Sequence, residues 1–310
     1  MTFEPFDAEL AVTLDGTNRD RCPSSPPVRF VAPVWPWRAA WQGLIHRRSV
    51  WIVWASWLVM SIGFGVGMPY AMYHSAAADP AMAGYLEEIS ATFLMSGFPA
   101  FAAGALPFWG AAAAVVIGGL AVGGEYAQRT VGLIHTQGPR RIAVMTSQLV
   151  ALAIYLGLLA ATTLLVDALG LVVVAAVEGW PLTIPPLGPT LVSTLGVWLT
   201  ALAYGLAGAT ACVLTRSLIA GVGVGLGWCL GVETVIVMIC GSLDRLDLGQ
   251  LSLAGATSNL AVARGAYPWW PNALTTQASA TQGWIAAAVL VGWCAITVAA
   301  SLSAITRRDI

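Results

Sequence analysis

Two groups of residues have side chains whose type and spacing could do chemistry. The first is Glu125-Tyr126 with Arg129-Thr130, followed across an apolar side of Val131, Leu133 and Ile134 by Gly138-Pro139-Arg140-Arg141. The second is a lone acid, Glu233, inside an apolar run that carries Gly221, Gly223, Gly225, Gly227 and Gly231. What these groups can do is bind charge and accept or donate hydrogen bonds. All 14 basic residues are arginine. Without lysine there is no P-loop to cradle ATP phosphates and no Schiff base. His46, His74 and His135 lie in three separate segments, and cysteines 22, 212, 229, 240 and 294 form no Cys-x-x-Cys pair. No metal site is expected, and the cysteines read as small apolar residues. No apolar run pairs a serine with a histidine, so an intramembrane hydrolase fits poorly.

The elements that must position these groups are membrane helices. Of 310 residues, 58% are hydrophobic and only 9% charged, against roughly 25% charged in a soluble domain; mean hydropathy is +0.77. A span needs about 20 apolar residues. Six such runs appear, near 50–70, 105–124, 142–166, 190–215, 217–239 and 283–305. The third is interrupted at Asp167 and Gly170 and resumes to Val177, as either a tilted or a broken helix. The expected fold class is therefore an all-α integral membrane protein with six transmembrane helices.

Residues 1–35, acidic at the start and then rich in proline, show no apolar period and read as a disordered cytoplasmic tail; residues 36–310 form the six-span domain. At its start, Trp37, Ala40, Trp41, Leu44 and Ile45 recur at helical spacing opposite Arg38, Gln42 and His46. That predicts an interfacial amphipathic helix. Between the second and third runs, Glu125, Gln128 and Arg129 give a wet side to a short surface helix that Gly138-Pro139 ends. The long segment 242–282, with Tyr267-Pro-Trp-Trp-Pro271, predicts re-entrant or interfacial structure outside. With both termini inside, arginines 19, 21, 29, 38, 47, 48, 129, 140, 141, 216, 307 and 308 are cytoplasmic and only 245 and 264 external. The positive-inside rule supports that orientation.

Through Glu-Tyr-x-x-x-Thr from Glu125 to Thr130, then Gly138-Pro139-Arg140-Arg141 and a long span, the chain resembles the permease subunits of ABC-2 type ATP-binding-cassette exporters over most of residues 36–308. The resemblance implies a subunit with no cofactor of its own, ATP and Mg being held by a separate ATPase. It implies a second permease subunit, as homo- or heterodimer, a multi-pass place in the cell membrane, and export of a drug-like metabolite, peptide or lipid. Membrane lipid surrounds it, and no nucleic acid partner is expected. The helix from Glu125 would be the coupling helix docked on the ATPase, with Tyr126, Arg129, Thr130, Gly138, Pro139, Arg140 and Arg141 sharing that contact. Gln148, where relatives often carry lysine, and Arg129, where they often carry glycine, depart from the pattern.

Each group also has a plainer reading. Glu125 could simply favour the positive end of its helix, and Arg140 and Arg141 could bind lipid phosphate. Glu233 lies about 25 Å along the fifth helix from Arg216, in the outer half of the bilayer. There it either faces a pathway or is wetted or bonded to a neighbouring helix. Gly221 with Gly225, and Gly223 with Gly227 and Gly231, form small-residue ridges expected to pack, within the chain or between subunits. The competing function is an ion-coupled secondary transporter, which needs titratable groups along a midplane path; here those are Glu233 and Asp167.

Overall fold

The computed structural model describes residues 36–78, 90, 109–127, 141–243, 246–264 and 280–307. These residues are almost entirely helical, with no strand among them. Helix α1 is Pro36–Ile45, and α2 (Arg48–Met60) passes through a π-helical stretch, Ser61–Gly67, into α3 (Met68–Ala78). Then come α4 (Ala111–Ala127), α5 (Arg141–Glu178), α6 (Leu187–Thr215) and α7 (Leu218–Leu226). A second π stretch, Gly227–Val232, joins α7 to α8 (Glu233–Ser242); α9 (Leu246–Gly249), α10 (Leu253–Val262) and α11 (Ala280–Arg307) complete the order. Five helical segments are long and apolar enough to cross a membrane: Arg48–Ala78, Ile142–Glu178, Leu187–Thr215, Leu218–Ser242 and Thr281–Arg307. This is a multi-pass membrane protein. Asp167 and Gly170 do not break the third run, which is one helix of 38 residues.

Side-chain pairs fix how the helices run. Trp57 Nε1 donates to Thr163 Oγ1, the Ser61 hydroxyl to Asp167 and the Tyr70 hydroxyl to Glu178, each at 2.7 Å. Residue numbers rise together, so α2–α3 and α5 run parallel. Helix α4 runs against both. Arg47, at the start of α2, reaches Leu120 in the second half of α4, while Phe64 stacks on Trp109 at 5.5 Å, just before α4 begins. At about 25 Å, α4 is shorter than the five long segments.

Helix α6, the most buried of the five (72% of its apolar window inside), is the centre of the bundle. Small residues let its neighbours approach. Gly118 of α4 lies directly on the Gly205 carbonyl, and a Cβ added at Gly225 of α7 would fall 2.7 Å from Val115 of α4. Gly221 faces the Cys212 backbone, where an added Cβ would come within 2.5 Å of Cα. Arg216 turns the chain between α6 and α7 with φ +53°, a left-handed conformation that side chains rarely adopt.

For the second glycine ridge, the expectation of packing within the chain is corrected: a Cβ added at Gly223, at Gly227 or at Gly231 meets nothing within 4 Å, while the subunit-contact reading concerns a second chain. The physical reason is their position on the helix. Gly221 and Gly225 are buried on the side of α7 that lies on α6 and α4, whereas Gly223, Gly227 and Gly231 are exposed. Among the described residues, only Gly221 and Gly225 of these five act as packing glycines. Helix α1 packs on the first half of α5, with Leu44 buried and Trp41 beside Tyr155 at 6.5 Å.

Candidate functional site

The buried glutamate sits where two irregular elements meet. A π turn links residues five apart; Glu233 N–H bonds back to the Trp228 carbonyl, and the same offset brings the Trp228 indole onto the Glu233 carboxylate. Trp228 Nε1 donates to Oε1 at 2.8 Å, and the Ala254 amide donates to Oε2 at 2.9 Å. Glu233 is 1% exposed. Its partner helix, α10, is buried along all ten residues, so the free N–H groups of its first turn have no water to turn to. Ser252 caps one of them, accepting from Gly255 at 3.0 Å, and Glu233 takes Ala254. A carboxylate also complements the positive end of the helix dipole.

Helix α10 lies antiparallel against α11. Leu251, just before it, receives the Trp293 indole N–H at 3.0 Å, and an added Cβ at Gly283 would lie 2.8 Å from Ala263, just after it. It therefore runs against α11 and starts about 15 Å inside that helix's beginning. Within the segment expected to be re-entrant or interfacial, this buried helix is what the described residues contain; Tyr267 to Pro271 lie outside them. Glu233 bonds the first turn of a neighbouring helix, α10.

A second buried carboxyl stands at the first π stretch. Asp167 is fully buried; its Oδ1 receives the Ser61 hydroxyl at 2.7 Å, and its Oδ2 has no partner. Ser61 opens the π stretch, just as Glu233 follows the other one. Each irregular stretch of a spanning segment thus abuts one buried acid. Apolar Val66, Leu171 and Val174 separate Asp167 from Tyr70, Glu178 and His74 at the far end of the seam.

The polar segment between α4 and α5 is anchored at its stems. Gln148 of α5 donates to Glu125 Oε1 at 2.5 Å. Arg47 reaches the Leu120 carbonyl, and its guanidinium fills the space beside Gly124, where any Cβ would collide with it. Burial lowers the Arg47 pKa from its usual value and Glu125 works against that; an arginine stays charged regardless. Gln148 thus hydrogen-bonds the acid where lysine would pair with it. Tyr126 lies in the last turn of α4 and Arg141 begins α5, while Arg129, Thr130, Gly138, Pro139 and Arg140 lie outside the described residues. Sequence reasoning missed Arg47 and Ser61 as partners; the signals were an arginine at the border of an apolar run and a serine inside one.

Arginines 47, 48, 216 and 307 lie at one end of the bundle. Arg47 is level with Gly124, a Cβ at Gly123 would meet Leu218 beside Arg216, and Thr210 bonds Ser301 six residues before Arg307. Arg264 follows α10 at the opposite end. Compared with known proteins, the chain matches no protein-family model, no curated protein and no solved structure. Beyond a multi-pass membrane protein, its function is argued from the site.

Proposed function

We propose that the chain is the membrane-spanning permease subunit of an ATP-powered exporter, driven by a separate ATPase that docks on the segment between α4 and α5. One observation carries this reading: Arg47, Glu125 and Gln148 tie the stems of that segment to α2, α4 and α5 together. A push on the segment moves three helices as one body, the kind of rigid-body switch by which packed bundles change state. Two of the helices so moved, α2 and α5, meet at the Ser61–Asp167 joint. π stretches are frequent at such functional points. Helix α4 is the sixth crossing, since it runs back between two parallel segments. The arginines put the Arg47 end in the cytoplasm, with both termini inside the cell membrane. The resemblance of 125–141 to the ABC-2 permeases supplies the partner class, including a second permease subunit. Amphipathic or apolar cargo suits a bundle whose interior holds so few charges.

The test is accessibility. A single cysteine at Gln128, in a variant with the native cysteines replaced, reacts with a membrane-impermeant maleimide only from the cytoplasmic side. Reaction from the outside alone would overturn the orientation and the docking site with it. The second reading, an ion-coupled transporter, draws on Asp167 with its unpartnered oxygen; uptake by the lone purified chain in nucleotide-free vesicles under an ion gradient would favour it.

A further inference from the structure

The first span-length segment changes company at its π stretch. Before it, Val50 and Trp57 of α2 are buried in the main core, which also holds Leu156 and Tyr204. From Val66 on, the segment joins a separate, smaller cluster, where Val66 and Ala76 meet Leu164, Leu171 and Val174 of α5. The backbone between the two is suited to bending. Gly63, Gly65 and Gly67 lie within the stretch, and the Met68 amide bonds back five residues to Gly63. Pro69 has no N–H to add to the ladder. A Cβ added at Gly63 meets nothing within 4 Å, so packing does not call for glycine there. Glycine, proline and π turns are the features at which helices kink, and here all three fall at the border between two packed clusters.

Beyond this hinge, α3 is fastened to the end of α5. The Tyr70 hydroxyl donates to Glu178 Oε1 at 2.7 Å, His74 Nε2 stands 3.2 Å from the same oxygen, and Tyr73 meets Trp180 edge-on at 5.3 Å. Tyr70 and His74 lie about 33 and 39 Å along the segment from Arg48, farther than the roughly 30 Å of hydrocarbon. The His74 side chain is half-exposed, so water competes for this fastening and weakens it. Between hinge and fastening, α3 covers Leu171 and Val174, and at the hinge end of that seam sits Asp167. Asp167 is 0% exposed and its Oδ2 has no partner. Closure buries apolar surface but leaves a carboxyl oxygen unsatisfied, and the second effect offsets part of the first.

We propose that α3 is a hinged lid on α5: it swings about Ser61–Gly67 when Tyr70 and His74 let go of Glu178, and opens a water path along Leu171 and Val174 to Asp167. The structure holds the closed state. In the open state water supplies the hydrogen bond that Asp167 Oδ2 lacks. The inference does not depend on the chain being an exporter, because what it states is a motion and the water access that follows from it.

The experiment uses the full-length chain, with its native cysteines replaced, in nanodiscs where both faces meet the reagent. The rate at which a single cysteine reacts with a charged methanethiosulfonate reads water access. Val174→Cys reports from beneath the lid, and Ala160→Cys from the main core. Tyr70→Phe with His74→Ala cuts the fastening and leaves Glu178 in place. Side-chain hydrogen bonds between membrane helices are modest, so the cut should speed reaction at Val174→Cys about threefold or more and leave Ala160→Cys as it was. No gain at Val174→Cys overturns the lid. An equal gain at both positions overturns it too, since the cut would then loosen the whole fold. Should Val174→Cys fail to fold, spin labels decide, on the exposed pair Ser75 and Leu182 across the lid and the exposed pair Val59 and Leu158 before the hinge. The cut should add longer distances to the first pair and none to the second; distances unchanged in both, or lengthened in both, overturn the proposal.

Discussion

Glu233 accepts the backbone amide of Ala254, 21 positions later, at 2.9 Å, inside the bundle and out of reach of water. The bond joins a span-length segment at its π stretch to the first turn of a buried helix, α10. Among the described residues no other side chain takes that amide, so the first turn of α10 is capped by this acid and by Ser252 while packing holds the rest of the helix.

Replacing Glu233 by alanine should therefore release the start of α10. A lost hydrogen bond to a charged group costs about 1.5–3 kcal/mol, so amide exchange across 253–257 should speed by roughly tenfold to a hundredfold. On the proposed function, export should fall while the protein still inserts and assembles. Hydrogen exchange with mass spectrometry in nanodiscs reads the first effect; unchanged protection would show that α10 is held by packing alone.

The Ser61–Asp167 bond should be measurable as a coupling. Side-chain hydrogen bonds between membrane helices contribute about 0.6 kcal/mol on average and up to about 1.7. A double-mutant cycle with Ser61→Ala and Asp167→Asn, followed by reversible unfolding in mixed micelles, should return a value in that range. A coupling of zero would mean that the two helices do not meet in this register.

Gly221 and Gly223 should behave in opposite ways. Alanine at 221 must push on the Cys212 backbone, an overpacking that costs about 1–3 kcal/mol. Alanine at 223 meets open space and should leave the melting temperature of the monomer unchanged. Equal effects would contradict the packing of α7 on α6. If Gly223→Ala, Gly227→Ala or Gly231→Ala lowers the yield of a cross-linked dimer instead, that ridge belongs to a subunit contact.

The stem of the segment between α4 and α5 gives a charge test. Gln148→Lys sets an ammonium beside Glu125 at a buried position, where the ion pair offsets the cost of desolvating it, whereas Glu125→Arg confronts Arg47 with a like charge and should disturb both the stem and any partner bound there more strongly. Comparing the two by thermal midpoint and partner co-purification separates them. Tolerance of Glu125→Arg in both assays would place the contact elsewhere.

Much of the fold is legible because membrane helices announce themselves by length and apolarity. The runs at 190–215, 217–239 and 283–305 correspond closely to α6, to α7–α8 and to α11. Asp167 reads as an interruption because a polar residue in an apolar run carries no sign of its partner; Ser61, 106 positions away, supplies it. The π stretches are invisible for a related reason, since glycine spacing alone does not distinguish a close contact from a widened turn. Gly221 and Gly223 show the same limit: identical residues two apart, one jammed against a backbone and one facing outward. Glu233 stands out at once, yet its role as a cap depends on a helix that folds back from a polar, aromatic-rich segment.

The central claim is that force made by another protein enters this chain through the segment between α4 and α5. Affinity purification from native membranes, with quantification of whatever co-elutes, tests it most directly. The account predicts a soluble ATPase near one copy per permease, lost or weakened when Glu125 or Arg129 is changed to the opposite charge. A lone chain that co-purifies with no ATPase and still moves solute in vesicles without nucleotide would contradict it.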